Sequence, residues 1–254
     1  MAVATADLFI SDLHLDAANG VRMLAGALAD LPAPARRMFI LGDLFEAWIG
    51  DDDDAELGDT VSTVLREQHR RGSELYFLAG NRDFLLGQHW LGRCGAQLLA
   101  EPTTIDCFGH AVTLIHGDQE CLADVEYQQF RRQVRSAEWR QAFLAQPLAA
   151  RRDFAAQARA RSRDHTSGAA AYLLDADAAA LQALLEASQA SVLIHGHTHR
   201  PAIHALRTAQ GPALRVVLGA WHNAPSLLHA SAEGLRLQAE GLELRAAWPD
   251  RVTS

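Results

Sequence analysis

Short apolar runs that each stop at a Gly or at a cluster of Asp, Asn and His constrain this chain more than any other feature. They are Asp7 to Ile10, Met38 to Leu41, Leu75 to Ala79, Val112 to Ile115, Ser191 to Ile194 and Arg215 to Leu218. Runs this short, bounded by turn formers, read as buried strands. Helix-patterned stretches such as Gly20 to Ala29 and Thr60 to Arg71 lie between the first four, so the alternation predicts a layered α/β fold with part of its sheet parallel. A terminal hairpin is expected from Ser226 to Ala230 and Leu235 to Ala239, joined through Glu233 and Gly234. The span from Ala123 to Leu185 is different: rich in Ala, Arg and Gln, without strand signals, and with Tyr127, Phe130 and Val134 at helical spacing. It reads as a helical insertion, which divides the chain into a core of residues 1–122 and 186–254 and a cap of residues 123–185. No internal repeat is found, and the run Asp51 to Asp54 reads as a solvated loop.

Composition narrows the function. The chain has 254 residues, 49% hydrophobic and 21% charged, which suits a soluble globular protein. No apolar stretch approaches the ~20 residues of a membrane helix. The beginning carries Asp7 and lacks both a basic start and a long apolar run, so no secretory signal is expected. Cys94, Cys107 and Cys121 are odd in number and irregularly spaced, which argues against a disulfide framework or a zinc knuckle and favours a reducing cytoplasm. All 23 basic residues are Arg. The absence of lysine excludes Schiff-base chemistry and a Walker A loop. A net charge of −8 disfavours nucleic acid as a partner. Within that acidic chain, residues 125–165 hold nine arginines, Arg131, Arg132, Arg135, Arg140, Arg151, Arg152, Arg159, Arg161 and Arg163, against four acids, so this segment is a candidate to face something anionic.

The chemistry gathers where the runs end. Asp12 and His14 follow the first; Asp43 and Glu46 the second; Asn81, Arg82 and Asp83 the third; His116 and Asp118 the fourth; His195, His197 and His199 the fifth. Ligand sites of layered α/β sheets form at the carboxyl ends of the strands, so these clusters are expected to converge. Asp12 and His14 are two residues apart, as are His197 and His199, and extended chain points such pairs the same way. Asp, Asn and His without thiolate suit Mn, Fe or Zn in a catalytic site, with Mg also possible. Asp12, His14, Asp43, Asn81, His116, His197 and His199 are too many donors for one four-coordinate ion; two ions bridged by a carboxylate is the economical reading. Singly, each motif is ordinary turn chemistry. Their joint occurrence in order is what favours a metal centre. His195 alternates away from His197 and reads as a packed or hydrogen-bonded histidine, and His69, His89, His110, His165, His204 and His229 read as surface or core residues.

These residues are recognisable. The strings SDLHL, GDLFEAWIGDD, GNRDFLLG, HGD and HGHTHRP resemble the calcineurin-like binuclear metallophosphoesterase superfamily. The longer strings, with VVLGAWH near the end, resemble more narrowly the bacterial UDP-2,3-diacylglucosamine pyrophosphatases of lipid A biosynthesis. The likeness runs from Leu8 to about Val217 and includes the insertion. It implies an α/β fold of two packed sheets, a β-sandwich flanked by helices, with a helical cap. It also implies two divalent ions, commonly Mn²⁺: Asp12, His14 and His199 on the first, Asn81, His116 and His197 on the second, and Asp43 as the bridge. Asn81, Asp43 and Arg82 would be the catalytic residues, Arg82 acting on substrate phosphate. Asn81, Arg82, Asp124, Tyr127, Ser162, Thr166 and His197 would contact a lipid-linked UDP-sugar. Hydrolysis at the α-phosphorus would yield UMP and 2,3-diacylglucosamine 1-phosphate, with the protein a monomer, peripheral on the cytoplasmic face of the inner membrane. Bottom-up chemistry agrees: two ions ~3.5 to 4 Å apart acidify a water and grip the charge on phosphorus, so no covalent side-chain intermediate is needed. A guanidinium can bind two phosphoryl oxygens at once.

A diacylated substrate needs an apolar route, and the insertion offers Trp139, Phe143, Leu144, Leu148 and Phe154 beside its arginines. The plainer reading is that these apolar residues pack the cap onto the core and that the arginines are its solvated face. The chain departs from the family at Thr166 and Ala169, where Asn and Lys are usual, and at Glu120, Leu122 and Ala123. Arg159, Arg161 and Arg163 are candidates to replace the missing Lys. Two other functions fit the same motifs: a related enzyme acting on soluble nucleotides or phosphoproteins, and a binding module without metals, which would have no chemical reason to keep every donor.

Overall fold

The structure, a computed structural model, describes residues 6–16, 18–53, 55–168 and 175–250, with the side chains of residues 18 and 166–168 left aside. Strands β1 (Asp7–Ile10), β2 (Arg37–Leu41), β3 (Glu74–Leu78) and β4 (Ala96–Leu98) are parallel neighbours. Parallel strands need crossovers, and the three that join them carry helices α1 (Ala18–Ala29), α2 (Glu56–Arg70) and α3 (Gln88–Cys94). Antiparallel β10 (Leu227–Ser231), β11 (Gly234–Ala239) and β12 (Leu242–Ala246) extend the sheet beyond β1, so it runs β12-β11-β10-β1-β2-β3-β4. A second sheet combines β5 (Thr103–Cys107), β6 (His110–Leu114), β7 (Val192–His195), β8 (Ala202–Thr208) and β9 (Gly211–Val217) in the order β5-β6-β7-β9-β8, its inner three strands parallel.

The two sheets pack face to face, which is why the inner strands read as unbroken apolar runs. Phe9, Phe39, Leu78, Val112, Ile194, Val216 and Leu228 form the layer between them, with Phe9 stacked on Phe39 at 4.8 Å. The opposite face of the first sheet, Leu8, Ile10, Met38, Ile40 and Phe77, is covered by Leu24, Leu28, Val61, Leu65 and Trp90 of the three helices. Helix α7 (Ala178–Ser188) covers the second sheet, packing Leu181 and Leu185 on Ile115, Leu193 and Ala213. The result is a two-sheet sandwich with helices outside both sheets, the fold class the sequence resemblance implies.

The sequence pattern does not reveal β4, β5, β8, β12 or α3. Edge strands such as β5 and β12, TTIDC and LELRA, alternate exposed polar with partly buried residues and look like loops by composition. Helix α3 is held by a residue far away in sequence: Asp51 accepts bonds from the N–H groups of Gly87 and Trp90, both at 2.9 Å, and from Trp48 Nε1 at 3.1 Å. This corrects the solvated-loop reading of Asp51 to Asp54. Asp52 pairs with Arg151 and Asp53 with Arg152, while Asp54 lies outside the described residues.

The insertion contributes α4 (Val125–Val134), α5 (Ala137–Leu144) and α6 (Leu148–Gly168), with Asp124 and Ser136 as N-caps of the first two. Trp139 stacks on Phe143 at 4.6 Å, and Phe154 and Phe84 close the same cluster. Its arginines are neither simply solvated nor all free for an anionic partner. Arg151, only 2% exposed, reaches the Ile49 carbonyl at 2.7 Å and Asp52, Arg159 chelates Glu46, and Arg131 and Arg135 face Asp118. Of the three residues at helical spacing in α4, Val134 is buried, Tyr127 is partly buried and Phe130 is exposed.

Where β1 meets β2, Asp7 is fully buried and accepts bonds from Arg36 at 2.7 and 2.9 Å and from Arg37 at 2.5 and 3.2 Å. Burial works against its ionisation, but the Arg36 and Arg37 bonds prevail and hold its carboxyl below the usual range. Its contribution is therefore complete above the unfolded carboxylate value near ~4 and is lost as pH falls through the lower folded value. Asp7→Asn is expected to cost about 2 kcal/mol at pH 7 by urea unfolding. The deficit should shrink below about pH 4; a pH-independent deficit would contradict the assignment.

Candidate metal centre

Five connections following β1, β2, β3, β6 and β7 meet at one end of the sandwich, and backbone bonds continue between them past the strands. Asp12 N–H donates to the Gly42 carbonyl at 3.1 Å and His14 N–H to the Asp43 carbonyl at 3.0 Å. Asp83 accepts from the N–H groups of Asp43, Leu44 and Gly80 at 3.2, 2.7 and 2.9 Å, so one buried carboxyl ties the turn after β2 to the turn after β3. Burial and the Asp43 charge push Asp83 up to about 7. Across the sheets, His197 N–H donates to Asp12 Oδ2 at 2.9 Å.

The seven donors picked out in the sequence converge, though not through strand alternation. Asp12 (φ 55°), His14 (50°), Asp43 (52°), His197 (64°) and His199 (55°) are all left-handed, so the chain turns at each of them instead of running extended. Such conformations cost roughly 1–2 kcal/mol apiece for non-glycine residues and persist where the surroundings impose them. Concentrated here, they aim the side chains inward.

Two groups result. In the first, His14 Nε2 and His199 Nε2 face each other at 3.1 Å, and His199 Nε2 is 3.3 Å from Asp12 Oδ1. In the second, Asn81 Oδ1 lies 2.8 Å from His116 Nε2 and 3.0 Å from His197 Nδ1. Asp43 stands between the groups, Oδ1 at 3.6 Å from His116 Nε2 and Oδ2 at 3.9 Å from His14 Nδ1. His116 Nδ1 meets the Leu41 carbonyl at 2.8 Å, which assigns the proton to that nitrogen and turns Nε2 toward the centre.

This donor set fits divalent cations. Asp12 Oδ1 and His14 Nδ1 are buried and carry no hydrogen bond, and the Nε2 atoms of His14 and His199, 3.1 Å apart, converge on the same space. Burial, with Arg82 nearby, drives His14 down to about 2, and burial with His116 drives His197 down to about 4, so both stay neutral as metal ligation requires. His116 goes the other way. Burial would lower it, but Asp43, Asp12, Asp118 and Glu101 push it up to about 9. The negative field that retains a proton there is one that a cation would meet. Asp12 is held low by His199, His116 and His14 against its burial, whereas burial raises Asp43.

Arg82 lines the same space, its N–H on Asp43 Oδ1 at 2.9 Å, its Nε 3.3 Å from Asp43 Oδ2, and its tip paired with Glu46. Glu46 also receives Arg159 from α6 at 2.6 and 2.8 Å. Of the expected substrate contacts, Asp124 caps α4 through Oδ1 and meets Nε2 of the exposed His165 at 2.9 Å through Oδ2. Tyr127 gives its hydroxyl to Asp118 at 2.5 Å and lays its ring 6.2 Å from that of His197. Ser162 lies on α6; the side chain of Thr166, and all of Ala169, fall outside the described residues. His195 is buried, accepting from Arg215 Nε at 2.9 Å. The roles of Glu46, Asp83 and Asp118 were missed by sequence reasoning. All three sit in the strand-end clusters, but only the fold reveals their partners.

Donors from five strand ends, facing one another across two stacked sheets, define a class of phosphoesterase. The calcineurin-like phosphoesterase family matches residues 8–201, and the chain belongs to it. Among curated relatives it is similar to UDP-2,3-diacylglucosamine hydrolase of Cellvibrio japonicus, 44% identical over 233 residues, 91% of this chain and 97% of that protein. The proteins of the same name from Xanthomonas oryzae pv. oryzae (42% over 240 residues, 91% and 97%) and Marinobacter nauticus (43% over 228 residues, 88% and 93%) are similar to it too. Among solved structures, Vacuolar Protein Sorting 29 from Cryptosporidium parvum aligns at a TM-score of 0.47 and 13% identity, covering 97% of this chain and 99% of that one.

Gly80 has no room for a side chain: a Cβ would collide with the Asp43 carboxylate and backbone. Gly80→Ala is expected to displace Asp43 at a cost of about 1–3 kcal/mol. Calorimetric titration with Mn²⁺ should show weakened binding; unchanged affinity would show that Asp43 is not held as described.

Proposed function

We propose that this protein hydrolyses the pyrophosphate bond of UDP-2,3-diacylglucosamine, by water attack at the α-phosphorus, to UMP and 2,3-diacylglucosamine 1-phosphate, a step of lipid A biosynthesis. The observation that carries the reading is the convergence of the seven donors in a chain 44% identical, over 91% of its length, to a protein named for hydrolysing that lipid. In this reading Asp12, His14 and His199 hold one divalent cation, Asn81, His116 and His197 hold another, and Asp43 is shared; Mn²⁺ is the proposed metal. Such cations supply Lewis acidity toward phosphoryl oxygens and acidify a water.

The protein's own groups do the rest. Arg82 offers guanidinium N–H groups to phosphoryl oxygens where negative charge develops; its N–H and Nε lie against Asp43, and its pairing with Glu46 holds the tip beside the donors. A sugar phosphate is a stable leaving group, so a strong general acid is not required. Asp124, Tyr127, Ser162 and Thr166 are the proposed contacts beyond the reacting phosphates. Within residues 123–185, helices α4 to α6 act as the cap that receives the acyl chains, along the cluster of Trp139, Phe143 and Phe154. Among the described residues no helix is long and apolar enough to cross a membrane. We take the protein to be a cytoplasmic monomer that visits the anionic inner face of the inner membrane, a view favoured by the exposure of Leu144 and Phe154 beside the cap arginines.

The test is hydrolysis of UDP-2,3-diacylglucosamine by metal-stripped protein, with Mn²⁺, Mg²⁺ or Zn²⁺ restored and UMP quantified. Metal-dependent UMP release is expected, faster from anionic than from neutral vesicles. Release from soluble nucleotides alone would discard the lipid substrate, and equal rates in both vesicles would discard the surface preference. Asp43→Ala should abolish turnover, and Arg82→Ala should lower kcat by about 10²-fold or more with metal binding retained. Near-normal activity in either variant contradicts its role.

A further inference from the structure

Asp118 follows the donor His116 by two residues, yet among the described residues no core side chain hydrogen-bonds its carboxylate. Its side chain is fully buried, and its partners come from the insertion: Tyr127 Oη at 2.5 Å, Arg131 Nε at 2.8 Å and an Arg135 guanidinium nitrogen at 3.7 Å. Its backbone carbonyl accepts from Gln128 Nε2 at 2.8 Å. Residues 127, 131 and 135 are spaced by four, so they form one stripe of α4 and its C-cap, and the whole stripe converges on one core residue. The turn between them requires glycine: Gly117 has a φ of 117°, and a side chain there would lie 2.9 Å from His195 Nδ1.

The same stripe touches each segment that carries a donor of the second group. Arg131 also reaches Glu101 at 3.4 Å, whose other oxygen accepts from His116 N–H at 2.6 Å. Arg135 donates to the Gly80 carbonyl, next to Asn81, at 2.9 Å, and the Tyr127 ring lies over His197. Helix α4 starts at Asp124, a proposed substrate contact, so whatever fixes α4 fixes that carboxylate relative to the metal donors.

We propose that Asp118 is a positioning residue: it anchors the cap to the strand end bearing His116 and so sets the geometry in which the lipid-linked substrate is held. A buried carboxylate with two guanidinium neighbours suits the task, because charge-assisted bonds are short and directional and breaking one leaves charge uncompensated in the interior. The role in substrate holding rests on the function proposed above; the anchoring does not.

The test is Asp118→Asn in the full chain, with Arg131→Gln as a second variant should the first fail to fold. Amide hydrogen exchange needs no substrate and reads the anchor directly. Exchange in α4 should quicken by about tenfold or more while β6 and β7 stay protected. Unchanged exchange, or acceleration spread over the whole sheet, overturns the proposal. For substrate holding, KM for UDP-2,3-diacylglucosamine should rise about tenfold or more, with kcat/KM on bis(p-nitrophenyl) phosphate within about threefold of the original. Equal losses on both substrates would make Asp118 part of the metal centre and overturn the positioning role. If the unaltered protein releases no UMP from the lipid, the substrate assignment fails while the exchange result still decides the anchor.

Discussion

A carboxylate held out of water is the constraint on which the rest of the site depends. Asp43 is 1% exposed, and an ionised group so placed must find positive charge and hydrogen bonds or give up its own charge. The fold provides the Arg82 guanidinium on one side, the Arg82 N–H on another and the His116 imidazole at one end, with neutral His14 3.9 Å away at the other. These partners arrive from three strand ends, which explains why the turns after β1, β3 and β6 must all be correct at once. It also explains where strain is accepted. Left-handed backbone at Asp12, His14, Asp43, His197 and His199 opposes folding, and the packed sheets beneath offset it.

The cap is fastened by a related principle. Core carboxylates at Glu46, Asp52, Asp53 and Asp118 each receive arginines of the insertion, and none of these pairs relies on sequence neighbours. Apolar contacts through Trp139, Phe143 and Phe154 provide area, while the ion pairs provide register. Glu46 has a foot in both layers, since it takes Arg82 from the core and Arg159 from α6 beside His14. The position of the cap and the aim of Arg82 are thus joined through one side chain.

Much of this was legible beforehand, for a physical reason. Strands buried on both faces leave a hydrophobic signature, and donors at their ends are punctuated by glycines such as Gly42 and Gly117, whose positive φ the turns require. What could not be read was pairing at a distance. Asp51 looked like part of a solvated acidic run because its partners are the N–H groups of Gly87 and Trp90, and the cap arginines looked free because Glu46, Asp52 and Asp118 lie elsewhere in the chain. Alternation gave the right convergence for Asp12 with His14 by the wrong route, since both residues are left-handed. Polar edge strands such as β5 and β12 hide because half of each faces solvent.

The measurement that tests the central claim most directly is the metal content of the protein, by elemental analysis after equilibration with Mn²⁺ and removal of free ions, for the natural sequence and for Asp43→Asn. Two ions per chain are predicted for the first and fewer for the second, because a shared carboxylate serves both groups. One ion or none in the natural sequence, or two in both proteins, would contradict the account of Asp43 as the residue that joins two metal sites.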